Sequence, residues 1–181
     1  GYWNQEAATN AVLADDGWLS TGDIGALDQD GFLAITDRKK DLFKDSGGRY
    51  IAPQRVESLL RLEFFIEQAC LVGDNRPYCV ALIVPNMAAL EKWAKEKKIF
   101  ARTPEGLLKE PAVIKHFQSA VDRVNTRLAR HETIVTFKLL EIAFTTSDSL
   151  LTPSLKVRRQ QVQDRYLSDI NWLYGLTAPG N

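Results

Sequence analysis

Residues 68–84 read Gln68-Ala69-Cys70-Leu71-Val72-Gly73-Asp74-Asn75-Arg76-Pro77-Tyr78-Cys79-Val80-Ala81-Leu82-Ile83-Val84. Two apolar runs, Gln68 to Val72 and Cys79 to Val84, flank a polar segment containing Gly and Pro. That pattern predicts two strands joined by a hairpin loop at Gly73 to Pro77. Working outward, Pro53 suits the first turn of a helix whose apolar face is Val56, Leu59 and Leu60. On the other side, Asn86 can cap a helix running to about Lys98, with Leu90, Trp93 and Ala94 inward. Ile114, Phe117, Val121, Val124 and Leu128 recur at three- and four-residue spacings, an amphipathic helix. Phe137 to Ile142 reads as a third core strand, Thr152 to Lys156 as a loop, and Val162, Tyr166, Ile170 and Leu173 as one last helix. From Gly175 onward a frayed tail is expected.

Nearer the N-terminus, Gly17 to Asp23 opens a strand that Ile24 to Leu27 continues. Asp28-Gln29-Asp30-Gly31 is a turn, and Phe32 to Thr36 returns as a second strand, so this is a hairpin. The charged run Asp37-Arg38-Lys39-Lys40-Asp41 is a junction. Leu42-Phe43-Lys44 is short and extended, and Ser46-Gly47-Gly48 is a flexible turn. The fold class is α+β: after residue 41, a small domain with an antiparallel three-stranded core sheet flanked by helices, preceded by a β-hairpin.

The chain has 181 residues, 45% apolar and 25% charged, the profile of a globular protein. Lys plus Arg number 23 and Asp plus Glu number 23, so the net charge is zero. This argues against nucleic-acid binding, which draws its affinity from an excess of basic residues. The apolar runs fall far short of the ~20 residues a membrane-spanning helix needs. Nor does an apolar leader open the chain, so no signal peptide is expected. Gly1-Tyr2-Trp3-Asn4, with no Met before it, reads as the interior of a longer protein. Cys70 and Cys79 lack the paired spacing of a zinc site and are expected as buried thiols. His116 and His131 read as surface or packing residues, and no metal ligand set is expected.

Four short segments carry chemistry-bearing groups. In Ser20-Thr21-Gly22-Asp23 the Asp carboxylate could accept two hydrogen bonds from a ribose diol, or the segment is a capped turn. Arg38-Lys39-Lys40-Asp41 could contact a ligand or be a solvated charge run. Ser46-Gly47-Gly48 would let a backbone approach a ligand closely, or serve any tight turn. Lys156, near Arg158 and Arg159, could bind phosphate or simply start a helix.

Their order resembles the adenylate-forming superfamily of acyl-CoA synthetases, peptide-synthetase adenylation domains and luciferases. The resemblance runs from Gly1 to Tyr174. Gly17-Trp18-Leu19-Ser20-Thr21-Gly22-Asp23-Ile24-Gly25 is similar to the family's Thr-Gly-Asp motif, which implies Asp23 as holder of the ATP ribose. Asp37 to Asp41, with Ser46-Gly47-Gly48-Arg49, resembles the hinge and its following glycine loop. Arg38 and Arg49 would then contact the nucleotide. Lys40 would be the hinge, and Gly47, Gly48 and Lys44 would line the path of the pantetheine arm. Pro53-Gln54-Arg55-Val56-Glu57 matches a Pro-x-x-Ile/Val-Glu helix start. Thr152-Pro153-Ser154-Leu155-Lys156-Val157-Arg158-Arg159 matches the C-terminal lysine motif. Many members have Gly before that Lys; Leu155 stands there in this chain, as in the long-chain fatty acid branch. A helical insertion at about 87–132, with Asn125-Thr126-Arg127-Leu128-Ala129 and Phe137-Lys138-Leu139-Leu140, is similar to long-chain fatty acyl-CoA synthetases.

The resemblance implies a long-chain fatty acid–CoA ligase that joins fatty acid to coenzyme A through an acyl-adenylate, using ATP and Mg2+. Lys156 would be the catalytic cation. Residues 1–39 would close the large N-terminal domain and residues 41–181 would be the mobile lid. No phosphate-cradling loop is visible. This chain is therefore expected to be inactive alone, with no tightly held cofactor and ATP bound weakly or not at all. Its hairpin, with Trp18, Leu19 and Phe32 lacking their partner, could draw two chains into a dimer without biological meaning. A cytoplasmic location is expected, and peripheral contact with a membrane stays open. Two other readings are a binding or regulatory module of the same fold and an enzyme that loads a carrier protein.

Overall fold

The computed structural model describes residues 1–176, apart from the side chains of Thr36 and Asp37. The last part of the expected frayed tail, residues 177–181, lies outside the described residues, as does the side chain of Asp37 in the charged junction. The chain divides into two compact units, residues 1–42 and the remainder from Phe43.

In the first unit a short helix, α1 (Glu6–Asn10), buries no residue. The hairpin follows as strands β1 (Asp23–Leu27) and β2 (Leu33–Arg38), paired antiparallel. Its turn forms because the Asp28 carboxylate accepts the N–H groups of Asp30 at 3.0 Å and Phe32 at 2.8 Å, and Gly31 takes a positive φ of 85°. The strand begins at Asp23 rather than near Gly17, because Leu19 makes only an isolated bridge to Leu13. Trp18, Phe32, Leu33 and Ile35 stay exposed, Trp18 at 77%, so the unit has an apolar surface that it does not bury itself.

Among the described residues, the buried apolar core begins at Phe43. Two-residue strands β3 (Phe43–Lys44) and β4 (Tyr50–Ile51) pair antiparallel and enclose a loop. Helix α2 (Pro53–Arg61) starts at its proline and buries Val56 and Leu60, as the pattern predicts. Strands β5 (Ile66–Val72) and β6 (Cys79–Pro85) form the expected antiparallel hairpin. Asn86 caps α3 (Met87–Glu96) by accepting the Ala89 N–H at 3.1 Å. Helices α4 (Pro104–Lys109) and α5 (Pro111–Asn125) follow, then β7 (Ile134–Leu139). The insertion thus carries three described helices where two were expected; α4 has only six residues, is capped by Thr103 and is too short to show a repeated apolar spacing.

The three-stranded sheet has the order β5-β6-β7. One of its two pairings corrects the expectation of an all-antiparallel sheet: β7 runs parallel to β6. The helical excursion from Met87 to Asn125 makes this possible, since a parallel pair needs a long crossover where an antiparallel pair needs only a turn. The strand also starts earlier than Phe137, because the Asn125 side chain brackets Ile134, accepting its N–H and donating to its carbonyl, both at 2.9 Å. The expected last helix is two, α6 (Arg159–Arg165) and α7 (Leu167–Leu173), meeting at Tyr166.

Every residue of β6 is buried, which accounts for its unbroken apolar run. Side chains alternate across the sheet. Cys79, Ala81 and Ile83 face a core with Phe43, Ile51, Val56, Leu60, Leu90 and Phe117. Val80, Leu82 and Val84 face a second core with Phe144, Leu150, Leu151, Val162 and Ile170. The free thiols Cys70 and Cys79 are both buried, and burial pushes each up to about 12, far from the thiolate form at neutral pH. His116 packs against Trp93 and Phe65, each ring centroid 4.6 Å away.

Candidate functional site

Asp23 and Arg38, read from separate motifs, are cross-strand partners in the β1–β2 ladder. Arg38 Nε donates to Asp23 Oδ1 at 3.0 Å. The Thr21 hydroxyl accepts the Asp23 N–H at 3.1 Å, and Lys39 N–H donates to the Gly22 carbonyl at 2.8 Å. The Thr-Gly-Asp segment and the charged junction therefore meet. A carboxylate oriented by a guanidinium is suited to accept the two O–H groups of a ribose. Lys40 is exposed in a turn closed by the Asp41 N–H donating to the Arg38 carbonyl at 2.9 Å.

The glycine loop is organised by a residue that sequence reading did not single out. The Asp45 carboxylate, buried at the end of β3, accepts the N–H groups of Gly47 and Arg49 at 2.9 Å each and Arg49 Nε at 2.7 Å. These bonds, led by the Arg49 backbone N–H, hold its carboxyl below the usual range. Arg49 thus has its guanidinium on Asp45. Gly48 has a φ of 77°, where a side chain would be strained, while Gly47 does not. Lys44 Nζ sits 4.7 Å over the Tyr50 ring. An Asp one residue before Ser-Gly-Gly, with Arg four residues on, is the signal that could have pointed to this loop.

Lys156 stands, exposed, on a tight hairpin whose strands touch at a Leu151–Val157 bridge. Thr152 holds both of its backbone groups: Thr152 Oγ1 accepts the Lys156 N–H at 3.0 Å and Thr152 N–H donates to the Lys156 carbonyl at 2.8 Å. Leu155 occupies the left-handed region, φ 61°. That accounts for a glycine preference at this position. A left-handed non-glycine residue costs about 1–2 kcal/mol, and glycine loses about 0.5–1 kcal/mol more backbone entropy on folding. Leu155, being exposed, buries little that would be lost. Leu155→Gly is therefore expected to stabilise this chain by about 0.5–1 kcal/mol, read as a higher urea midpoint at unchanged slope. A lower midpoint would show that the side chain contributes more than its backbone strain costs.

A cavity of about 340 Å3, lined by Arg49, Tyr78, Arg130, His131 and Thr133, borders the glycine loop. His131 Nε2 lies 3.3 Å from the Tyr50 carbonyl. The sequence reading left Arg130 and His131 outside any site. Among the described residues no group of three His, Cys, Asp or Glu side chains could hold a metal ion. None of the described helices is long and apolar enough to cross a membrane.

This geometry has counterparts. Over 175 residues the chain is 39% identical to the long-chain-fatty-acid–CoA ligase FadD15 of Mycobacterium tuberculosis, covering 96% of this chain and 29% of that protein. It is 32% identical over 181 residues to long chain acyl-CoA synthetase 8 of Arabidopsis thaliana, covering 96% of this chain and 25% of that one. The chain thus spans less than a third of the length of the relatives it matches. Among solved structures, the adenylation domain of a carboxylate reductase from Mycobacterium chelonae superimposes with a TM-score of 0.74 at 26% identity, covering 97% of this chain and 26% of that one. A family model described as the AMP-binding enzyme C-terminal domain matches residues 41–177. The chain belongs to the AMP-binding enzyme family and contains its C-terminal domain.

Proposed function

We propose that the whole protein is a long-chain fatty acid–CoA ligase and that this chain comprises its C-terminal lid and the end of its large domain. In the first step a fatty carboxylate oxygen attacks the α-phosphorus of ATP, and pyrophosphate leaves. In the second, the coenzyme A thiol attacks the acyl carbonyl, and AMP leaves. Asp23 and Arg38 hold the nucleotide. Lys156 offsets the negative charge that gathers as two anions meet. Magnesium travels with the triphosphate, consistent with its habit of binding through phosphate oxygens and few protein ligands.

One observation carries this reading. The glycine loop is rooted through Phe43 and Ile51 in the core on one side of the sheet, and the lysine hairpin through Leu150 and Leu151 in the core on the other. Two elements on opposite faces of one sheet suit two steps served in turn. Lys40, in an exposed turn, is the pivot we assign to that exchange. The test is the full-length protein supplied with ATP, magnesium, a long-chain fatty acid and coenzyme A. Release of pyrophosphate with formation of acyl-CoA supports the reading; no adenylation of any fatty acid refutes it.

We assign the basic cavity beside the glycine loop to the phosphates of coenzyme A. Arg130→Ala is then expected to raise the KM for coenzyme A about tenfold, the low end for a hydrogen bond to a charged group. Adenylation, followed as pyrophosphate release, should not change. An unchanged KM would remove the cavity from the coenzyme A path.

A second reading, loading of a carrier protein, draws on the likeness to a carboxylate reductase adenylation domain. It predicts acyl transfer to a phosphopantetheinylated carrier and little transfer to free coenzyme A.

A further inference from the structure

A lysine ammonium rides on a flexible four-carbon stem, so its catalytic position depends on how firmly its backbone is anchored. The hairpin bearing Lys156 has Leu150 and Leu151 sunk in the second core, and Arg158 N–H donates to the Leu150 carbonyl at 2.8 Å. Its other anchor is polar. Arg159, three residues after Lys156 and first in α6, sends Nη1 to Glu57 Oε1 and to the Leu71 carbonyl, both at 2.6 Å. Glu57, only 6% exposed on α2, also accepts the Leu71 N–H at 2.7 Å. Leu71 lies on β5, an outer strand of the sheet, and these two side chains satisfy both of its backbone groups. Thus one ion pair ties the segment that follows the lysine hairpin to both a helix and a strand.

Apolar packing already holds Val162 and the hairpin's leucines, so the pair is not needed merely to bring α6 to the sheet. A buried ion pair contributes little net stability against an apolar substitute, and fixing a register is its best-attested use. Both bonds leave one nitrogen, Nη1, whose two hydrogens lie in the guanidinium plane, and two fixed acceptors on that plane set its orientation, which greasy contact does not.

We propose that the Glu57–Arg159 pair is a positioning device for Lys156, holding the lysine hairpin at one place on the sheet edge while the acyl-adenylate forms. This rests on Lys156 being the adenylation cation. In this role Glu57 and Arg159 are positioning residues that act through the lysine.

The experiment compares wild type, Arg159→Lys, Lys156→Ala and the double variant in the full-length protein. Two half-reactions are followed: pyrophosphate release with fatty acid and ATP, and conversion of supplied acyl-adenylate to acyl-CoA. Arg159→Lys keeps the charge but loses the planar group whose Nη1 hydrogens are aimed at Glu57 and Leu71. It should lower kcat of adenylation about tenfold, leaving the KM for ATP and the second half-reaction within about twofold. In the Lys156→Ala background it should add no further loss. Glu57→Gln, which keeps an acceptor for Leu71, should behave like Arg159→Lys; if it does not fold, Arg159→Lys alone decides. Equal loss in both half-reactions, a loss that persists without Lys156, or no loss at all overturns the proposal. If Lys156→Ala itself leaves adenylation intact, the assignment of Lys156 fails, an outcome distinct from failure of the positioning role.

Discussion

Lys156→Ala is expected to lower acyl-adenylate formation by the full-length protein about a hundredfold or more, the usual cost of removing one preorganised charge contact. Conversion of supplied acyl-adenylate to acyl-CoA should be retained. The asymmetry follows from the charges. In adenylation a carboxylate and a triphosphate converge, and negative charge builds on the phosphorus oxygens as pyrophosphate leaves. In thioester formation no such pair of anions meets. The structure makes this variant informative because the Lys156 side chain is exposed while its backbone is held by Thr152. Truncation therefore removes the charge without opening a cavity or releasing the hairpin. Pyrophosphate release and acyl-CoA formation from synthetic acyl-adenylate are the two assays. Equal loss in both would make Lys156 a structural residue.

Gly47→Leu should show the opposite pattern, with adenylation kept and thioester formation down about a hundredfold, the scale on which a small misplacement of a reacting group is felt. An ideal Cβ at Gly47 would lie 3.2 Å from Asp45 Oδ1 and 3.6 Å from Arg49 Nε. A methyl there needs only a slight adjustment, but leucine adds three more carbons beside a loop that Asp45 holds fixed through three bonds. Gly48 would be a poorer probe, because its φ of 77° would confound steric block with backbone strain. The same two assays apply. If adenylation falls first, the proposed division of labour between the two sides of the sheet is wrong.

Much of the architecture was legible from short-range pattern. The β5–β6 hairpin follows from two apolar runs around Gly73 to Pro77, α2 from a proline followed by Val56 and Leu60, and α3 from Asn86 at its start. The Asp28–Gly31 turn follows from residues that tolerate or bond a tight bend. Each signal lies within a few residues, because turn chemistry, capping and side-chain periodicity are local. The order of Asp23, Arg38, Gly47 and Lys156 likewise pointed to the family without coordinates.

What joins distant segments was not legible in the same way. The pairing of Asp23 with Arg38 requires the hairpin register, including a shift between Ile24 and Gly25. The parallel seat of β7 depends on where three helices return the chain, and Asn125 fixes its start. Asp45 reads as an ordinary loop acid until its bonds to Gly47 and Arg49 are seen. Arg159 meets Glu57 across 102 positions of sequence. Period and propensity say which face of an element is apolar, but they are silent on which far-off polar group will satisfy a buried carboxylate or a sheet edge. That choice is made by packing, because once apolar faces have closed, every buried charge and backbone group must find a partner among whatever the closure brings near.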